Sequence, residues 1–141
     1  MVRKRIMAEF FFSLRKEIDT EWLFIDGSYI RCHQHASGAR LGFDRAIGQS
    51  HGGRTTKIHL CCDANGYPLD FKVTGGEVHD SQVAPELIEL DSYLYKLRHL
   101  VENMFARLKQ FRSIATRYEK LARNFESMIY LACIIIHAKV N

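Results

Sequence analysis

The pattern of apolar and polar residues predicts one helix and one strand at the amino end of the chain. Residues 6–21 predict a short helix, and the apolar, aromatic run at residues 21–25 predicts a strand that ends on Asp26 and Gly27. Residues 31–54 are rich in Gly, Ser, His and Arg without periodicity, so we expect a long polar loop there. The first strand therefore ends on a carboxylate.

A hairpin is predicted in the middle of the chain. Residues 55–62 have strand character, and residues 67–74 can return as a second strand. The residues between them, Asp-Ala-Asn-Gly at 63–66, are typical of a tight turn. Together these segments predict two antiparallel strands.

A short helix is expected after the hairpin. Its cap is Asp80 or Ser81, and the helical pattern continues to Leu90. Pro85 is tolerated if it lies in the first turn. The pattern stops abruptly near Asp91.

The carboxyl third has a helical period from Tyr95 to about Lys139, with a break expected near Ser113. No repeat or Pro-rich linker divides the 141 residues, a length that suits one globular domain. The fold class is therefore α/β, with a mixed sheet, flanking helices and a long C-terminal helical segment.

Charge and hydropathy indicate a class of binding partner and a location in the cell. Residues 1–91 hold 11 Lys and Arg against 13 Asp and Glu, whereas residues 92–141 hold 9 against 3. Such a cationic segment is either a solvated helix face or a surface for nucleic acid. The most apolar run, residues 129–136, is far shorter than the roughly 20 residues that cross a bilayer. We expect no membrane partner and a cytoplasmic location.

One helical face combines an acid with three polar donors. Tyr95, Arg98, Glu102 and Lys109 are separated by three, four and seven residues, which places them along one side of a helix. A carboxylate that shares a divalent metal, beside cations that hold phosphates, suits phosphoryl transfer. The alternative is an exposed amphipathic helix with salt bridges.

These four residues resemble the Tyr-Arg-Glu-Lys signature of bacterial insertion-sequence transposases with an Asp-Asp-Glu (DDE) site, of the insertion-sequence four/five type. The segment 98–105 and its continuation at 111–120 are also similar to that family. So are Ile25-Asp26-Gly27-Ser28 and the segment 52–59. The likeness covers roughly residues 20–139.

The resemblance implies a ribonuclease-H-like core in which three acids bind two Mg²⁺ (or Mn²⁺) ions. Asp26 and Glu102 would be the first and third acids and metal ligands, with Tyr95, Arg98 and Lys109 in support. The implied reaction is nicking of double-stranded DNA at the ends of the mobile element, followed by strand transfer. The basic residues expected to contact that DNA are Arg107, Arg112, Arg117, Lys120 and Arg123.

The second acid of that site has no counterpart in the sequence. In the family it lies on a strand before the Tyr-Arg-Glu-Lys helix, but here the chain runs almost directly from Leu90 into Asp91 and Tyr95, which indicates an internal deletion near 89–92. We therefore expect an incomplete ribonuclease-H-like sheet. Residues 1–20 would be a short helical remnant, and residues 21–141 a shortened catalytic domain.

Three functional hypotheses follow. The first is an insertion-sequence transposase that is truncated and catalytically impaired, unless Asp63, Asp80 or Asp91 replaces the missing acid. The second is a non-enzymatic DNA-binding or interaction remnant, which interferes with an intact transposase by occupying the DNA ends or by forming mixed oligomers. Its expected partners are a second copy, in a homo-oligomer, or the intact transposase, in a mixed oligomer. The third is a product that does not fold stably, because missing strands leave sheet edges exposed.

Overall fold

A mixed sheet of five strands lies at the centre of the computed structural model, which describes residues 2–14, 23–38, 44–87 and 98–139. β3 is the central strand, pairing antiparallel with β1, β2 and β4, while β1 pairs parallel with β5. The strands in chain order are β1 (Phe24–Cys32), β2 (Gly48–Ser50), β3 (Gly53–Cys62), β4 (Pro68–Gly75) and β5 (Thr116–Arg117).

The predicted hairpin is confirmed as β3 and β4. Its turn is stabilised by the carboxylate of Asp63, which accepts the backbone amides of Asn65 and Tyr67, each at 2.9 Å. Gly66 has a φ of +79°, in the left-handed region where a residue without Cβ is favoured. The local turn residues therefore fix this part of the sheet.

The prediction that the first strand ends on Asp26 is wrong, because β1 continues to Cys32. Ladder pairing with β3 runs from Phe24 opposite Cys62 to Arg31 opposite Thr55. This pairing keeps the Gly-Ser dipeptide after Asp26 extended. The expected long loop is also interrupted, by a 3₁₀ helix at Gln34–Gly38 and by β2.

Five α-helices accompany the sheet, within the parts of the chain that the structure describes. The first begins at Val2, earlier than the sequence pattern indicates, and the carboxyl third divides between residues 108 and 122. The predicted helix ends near residues 21 and 90 lie outside the described residues. The helices are α1 (Val2–Ser13), α2 (Asp80–Leu87), α3 (Arg98–Leu108), α4 (Arg112–Ala115) and α5 (Ala122–Ala138).

The core lies between one face of the sheet and the helices α1, α3 and α5. Alternate residues of a strand share a face, so Phe24 and Ile30 of β1 point to the same side as Ile58 and Leu60 of β3. Buried residues of α3 and α5 complete this cluster, and Phe11 of α1 joins it. α2 contacts β1, β3 and β4, where polar residues replace the core. None of the described helices is long and apolar enough to cross a membrane.

The four cysteines are free thiols. Burial raises the pKa of Cys62 and Cys133 well above the usual range for a thiol. A thiol in such a setting is a poor nucleophile, because the reactive thiolate is disfavoured. Cys62 and Cys133 therefore belong to the packing of the domain.

Candidate active site

Asp26 is the third residue of β1 and lies half-buried on the face that carries the core. It shares that face with Phe24 and Ile30, which are buried on either side of it along the strand. Its Oδ1 accepts the backbone amide of Gly27 at 2.9 Å. The carboxylate is thus held on a rigid strand, at the side of the sheet that α3 covers.

Helix α3 packs against β1 and brings Glu102 to the same side of the domain as Asp26. Glu102 is exposed, next to Val101, which is fully buried. Lys109 is also exposed; it follows the last residue of α3, and its amide still donates to the carbonyl of Phe105 at 2.9 Å. The packing faces of β1 and α3 therefore place one acid from each element on one side of the sheet.

Two of the signature residues are not described by the structure. Arg98 is the first residue of α3, but its side chain lies outside the described residues. Tyr95 lies outside them altogether. Their supporting roles therefore stay predictions.

The two acids, Asp26 and Glu102, meet only part of what a divalent metal requires. Carboxylate oxygens are the ligands that Mg²⁺ prefers, so Asp26 and Glu102 have suitable chemistry. Within the described parts of the chain, however, no group of three or more His, Cys, Asp and Glu side chains is arranged to hold a metal ion. The described residues do not fit the three-acid, two-ion site that the resemblance implies.

A buried polar network occupies the opposite face of the sheet. Asp80, the first residue of α2, binds His59 Nδ1 through Oδ1 at 2.7 Å and Lys57 Nζ through Oδ2 at 3.2 Å. His59 Nε2 lies 2.8 Å from the hydroxyl of Thr74. Both β3 side chains are buried, and a Cβ added at Gly27 would lie only 2.1 Å from Asp80 Oδ1. Asp80, His59 and Lys57 therefore form one cluster, here called the Asp80 network.

The cap of this helix was predicted as Asp80 or Ser81, but α2 already begins at Asp80, whose carboxylate binds the sheet. The backbone amide of Ser81 donates instead to Nδ1 of His79, at 3.2 Å. Asp80 is drawn to the sheet because Lys57 and His59 are buried there and need an acceptor. The sequence analysis did not predict this network. Its sequence signal was the spacing of Lys57 and His59, two positions apart on one face of a strand.

Buried His59 predicts a pH dependence of stability. Desolvation lowers the pKa of His59 below its usual 6.5, although its hydrogen bond to Asp80 acts in the opposite direction. The neutral ring then donates from Nδ1 to the Asp80 carboxylate, and Nε2 lies 2.8 Å from the Thr74 hydroxyl oxygen. Below about pH 6.5 the unfolded chain binds a proton that the folded chain resists. The stabilising contribution is therefore complete above that pH and is lost as the pH falls.

We expect the urea-derived free energy of unfolding to decrease between pH 7 and pH 5.5, with a smaller decrease in His59→Gln. The glutamine keeps a donor for Asp80 but does not titrate. The other six histidines remain in both proteins, so their contribution cancels in the comparison. Equal pH slopes for the two proteins would refute the assignment to His59.

The predicted DNA-contacting residues differ in accessibility. Arg107, Arg112 and Arg123 are exposed, and Lys120 is half-buried. Arg117 is fully buried, and its guanidinium donates to the hydroxyl of Thr56 and to backbone carbonyls. A phosphate cannot reach it in this arrangement, because its donors point into the domain. Arg117 is therefore removed from the set of DNA contacts.

Further cations lie beside the remaining set. Arg3 and Lys4 of α1 line a cavity of about 290 Å³ together with Arg123 of α5. Lys139 and Arg107 line another cavity, of about 530 Å³, between the carboxyl ends of α3 and α5. Arg3 and Lys4, which are far from the carboxyl third in sequence, therefore extend the basic surface. The charge of the carboxyl third did not predict their contribution.

Residues 51–139 match a protein family whose model is described as a transposase DDE domain. The matched range covers more than half of the chain. The chain belongs to the transposase DDE family. The range contains Glu102 and Lys109 of this transposase domain, whereas Asp26 lies before it.

Two relatives of this transposase domain are similar over parts of the chain. A Brucella ovis protein named "Putative transposase for insertion sequence element IS6501" is 29% identical over an alignment of 126 positions, which covers 58% of this chain and 97% of the relative. A Sinorhizobium fredii protein named "Uncharacterized protein y4sN" is 49% identical over 35 residues, which span 25% of this chain and 28% of the relative. No solved structure gives a significant match. The family and the first relative confirm the resemblance to insertion-sequence DDE transposases, and the four/five type stays a prediction.

Proposed function

We propose that this transposase domain is an internally shortened ribonuclease-H-like core that binds DNA and has lost most or all of its nicking and strand-transfer activity. In this proposal the partner is double-stranded DNA at the ends of the mobile element. Asp26 and Glu102 are the residual metal ligands, with Tyr95, Arg98 and Lys109 as supporting residues. The proposal keeps the predicted cytoplasmic location.

The alignment with the Brucella relative carries the proposal of an internal deletion. It counts 126 positions but spans only 58% of the 141 residues, which is about 82 residues, so about 44 positions of the relative have no counterpart in this chain. That many unmatched positions, if they lie in one block, would be enough for more than one strand with its connections, since strands usually have about 5–6 residues. The deletion near 89–92 would remove the segment that carries the second acid in the family.

The described carboxylates that could replace the second acid are engaged in other contacts. Asp63 is buried in the β3–β4 turn and accepts two backbone amides. Asp80 binds Lys57 and His59 on the sheet face opposite Asp26. Asp91 lies outside the described residues. Two carboxylates are too few to hold a pair of ions, which supports the proposal of impaired catalysis.

Plasmid nicking is the direct test of this proposal. Purified protein is incubated with Mg²⁺ or Mn²⁺ and a plasmid that carries the flanking DNA of the gene, beside Asp26→Ala and Glu102→Ala variants. We expect no nicking above the level of the two variants, because the described chain offers two acids for a site that needs three. Nicking that both substitutions abolish would refute impaired catalysis and would show that a further acid completes the site.

DNA affinity is expected to survive and to depend steeply on salt. Replacing Arg107, Arg112 and Arg123 with Ala in one variant removes three exposed cations, and the slope of log K against log salt should fall by about 0.9 for each lost phosphate contact. Fluorescence anisotropy with a labelled duplex measures both quantities. Arg54→Ala is the matched control, because Arg54 is an exposed arginine of β3 outside the basic set. Equal slopes for the triple variant and the wild type would contradict the proposed DNA surface.

The alternative function is interference with an intact transposase, either by occupying the DNA ends or by forming mixed oligomers. The exposed cations of α3, α4 and α5 favour it, since they need no metal to bind phosphate. DNA binding without nicking, together with inhibition of an active relative in the same assay, would support this function. DNA binding without inhibition of the active relative would support a DNA-binding remnant that does not interfere with an intact transposase.

A further inference from the structure

The sheet face opposite Asp26 carries a row of exposed side chains along β1. Tyr29, Arg31 and His33 occupy alternate positions, so they point to the same side of the strand. All three are exposed, and Tyr29 is 54% exposed. α2 covers the same face at Gly27, where Asp80 approaches, but it leaves this row open.

Tyr118 adds a second ring beside His33. Residues 31 and 32 of β1 pair in parallel with residues 116 and 117 of β5, and the amide of His33 donates to the carbonyl of Arg117 at 2.8 Å. The pairing brings the rings of His33 and Tyr118 to 4.7 Å between centroids, at an angle of 31° between their planes. Tyr118 is 44% exposed. The aromatic strip is defined here as Tyr29, Arg31, His33 and Tyr118.

Buried residues hold both ends of the aromatic strip in place. Arg117 precedes Tyr118 and points to the other face, where its guanidinium donates to the hydroxyl of Thr56 at 2.6 Å. At the other end, the ring of Tyr29 lies 4.9 Å from Nζ of Lys57, which is buried. The rings are therefore positioned before any partner binds, which lowers the entropy lost on binding.

The charges at the aromatic strip favour an anionic partner. Arg31 is exposed between two of the rings, and Lys120 follows two residues after Tyr118. Asp80 lies on the same face but is paired with buried cations, and Glu119 is half-buried. Exposed rings interspersed with cations are typical of surfaces that bind single-stranded nucleic acid, because bases stack on the rings while cations hold the phosphates. Unpaired bases offer both faces for such stacking.

We propose that the aromatic strip binds single-stranded DNA, with unpaired bases stacked on Tyr118 and His33 and a phosphate held by Arg31. DNA is the nucleic acid chosen because the chain belongs to a transposase family. The aromatic strip lies on the sheet face opposite α3 and α5, so it is separate from the duplex surface of the proposed function. The binding adds a second nucleic-acid form to that function and requires neither metal nor the two acids.

A change of ring without a change of charge tests the stacking. Fluorescence anisotropy of the full chain with labelled oligo(dT) of about 12 nucleotides gives the affinity across a salt series. Tyr118→Ala should weaken binding roughly five- to hundredfold and leave the slope of log K against log salt unchanged, because no cation is lost. Tyr118→Phe should bind like the wild type, since the ring remains. Phe10→Ala, which removes an exposed ring of α1, is the matched control.

Arg31→Ala tests the phosphate contact separately. This variant should lower the slope by about 0.7, the value for one phosphate of a single strand. The same effects of Tyr118→Ala and Arg31→Ala are expected in the variant without Arg107, Arg112 and Arg123, because those residues lie outside the aromatic strip. A failure of duplex binding therefore leaves this test unaffected.

Photo-cross-linking of the wild-type chain to thiothymidine-substituted oligo(dT) locates the bound strand without any substitution. Cross-links to peptides that contain His33 or Tyr118 are expected, and cross-links confined to α3, α4 and α5 would overturn the proposal. Equal affinities of Tyr118→Ala and the wild type would also overturn it. Tighter binding of a duplex or of oligo(U), lost in Tyr118→Ala, would assign the aromatic strip to double-stranded DNA or to RNA instead.

Discussion

Arg117→Ala is expected to lower the free energy of unfolding by about 3–5 kcal/mol, because it breaks a buried hydrogen-bond network and leaves a cavity where a fully buried side chain was. The guanidinium donates to the hydroxyl of Thr56 at 2.6 Å and to the carbonyls of Glu119 and Ala46 at 2.8 and 3.1 Å. It also lies 5.1 Å from the centre of the Phe125 ring. Alanine leaves the carbonyl of Glu119 without this donor, whereas the carbonyl of Ala46 keeps the Thr56 hydroxyl as a donor at 2.7 Å. Urea denaturation measures the loss.

The control for this prediction is Arg112→Ala, which removes an exposed arginine five positions earlier and should change stability by no more than about 0.5 kcal/mol. Arg117→Lys should recover only part of the loss, because a single ammonium cannot reproduce the several donors of a planar guanidinium. Similar values for Arg117→Ala and Arg112→Ala would contradict a structural role for the buried guanidinium.

The hairpin was predictable because its determinants are local. Asp63 and Gly66 lie within the turn that they stabilise, and the strands on either side contain the apolar and β-branched residues that favour extended structure. The end of β1 was not predictable in the same way. The Gly-Ser dipeptide after Asp26 is typical of a strand end, but pairing with β3 keeps it extended. Tertiary contacts thus overrode a local signal.

Burial of Arg117 could not be read from the sequence either. It follows a helical segment that is rich in Lys and Arg, where a solvated or DNA-contacting arginine is the ordinary expectation. Its position is set by β5, a two-residue strand that pairs parallel with the end of β1. A strand so short has no period of its own, and its pairing depends on residues in the first third of the chain. Only the assembled sheet identifies Arg117 as part of the interior.

The same contrast between local sequence and tertiary contacts holds for the candidate site. Glu102 and Lys109 were predicted from their regular spacing, and Asp26 from the apolar strand before it; their roles in a site stay predictions. The Asp80 network was missed, since its members come from β3 and α2 and meet only after the sheet has formed. Polar residues in a strand that is otherwise buried, such as His59 between Ile58 and Leu60, are the sequence signal for such a network.

Asp80→Ala is expected to have the second largest effect, a loss of about 2–4 kcal/mol in the free energy of unfolding, since breaking a buried charge pair costs more than the pair contributes. Asp80 is one-third exposed, but Lys57 is almost completely buried, so the substitution leaves the ammonium without its carboxylate. It also removes the acceptor from His59 Nδ1, 2.7 Å away. Urea denaturation at pH 8, where His59 is neutral, measures the loss.

The double variant Asp80→Ala with Lys57→Met decides whether the loss comes from the stranded charge or from disrupted packing of α2 on the sheet. Methionine fills the space of the lysine stem over Gly27 and Tyr29 without a charge that needs a partner. If the stranded ammonium is the cause, the double variant should be more stable than Asp80→Ala alone. If packing of α2 is the cause, the second substitution should recover nothing, and the buried charge would not be what holds Asp80 in the network.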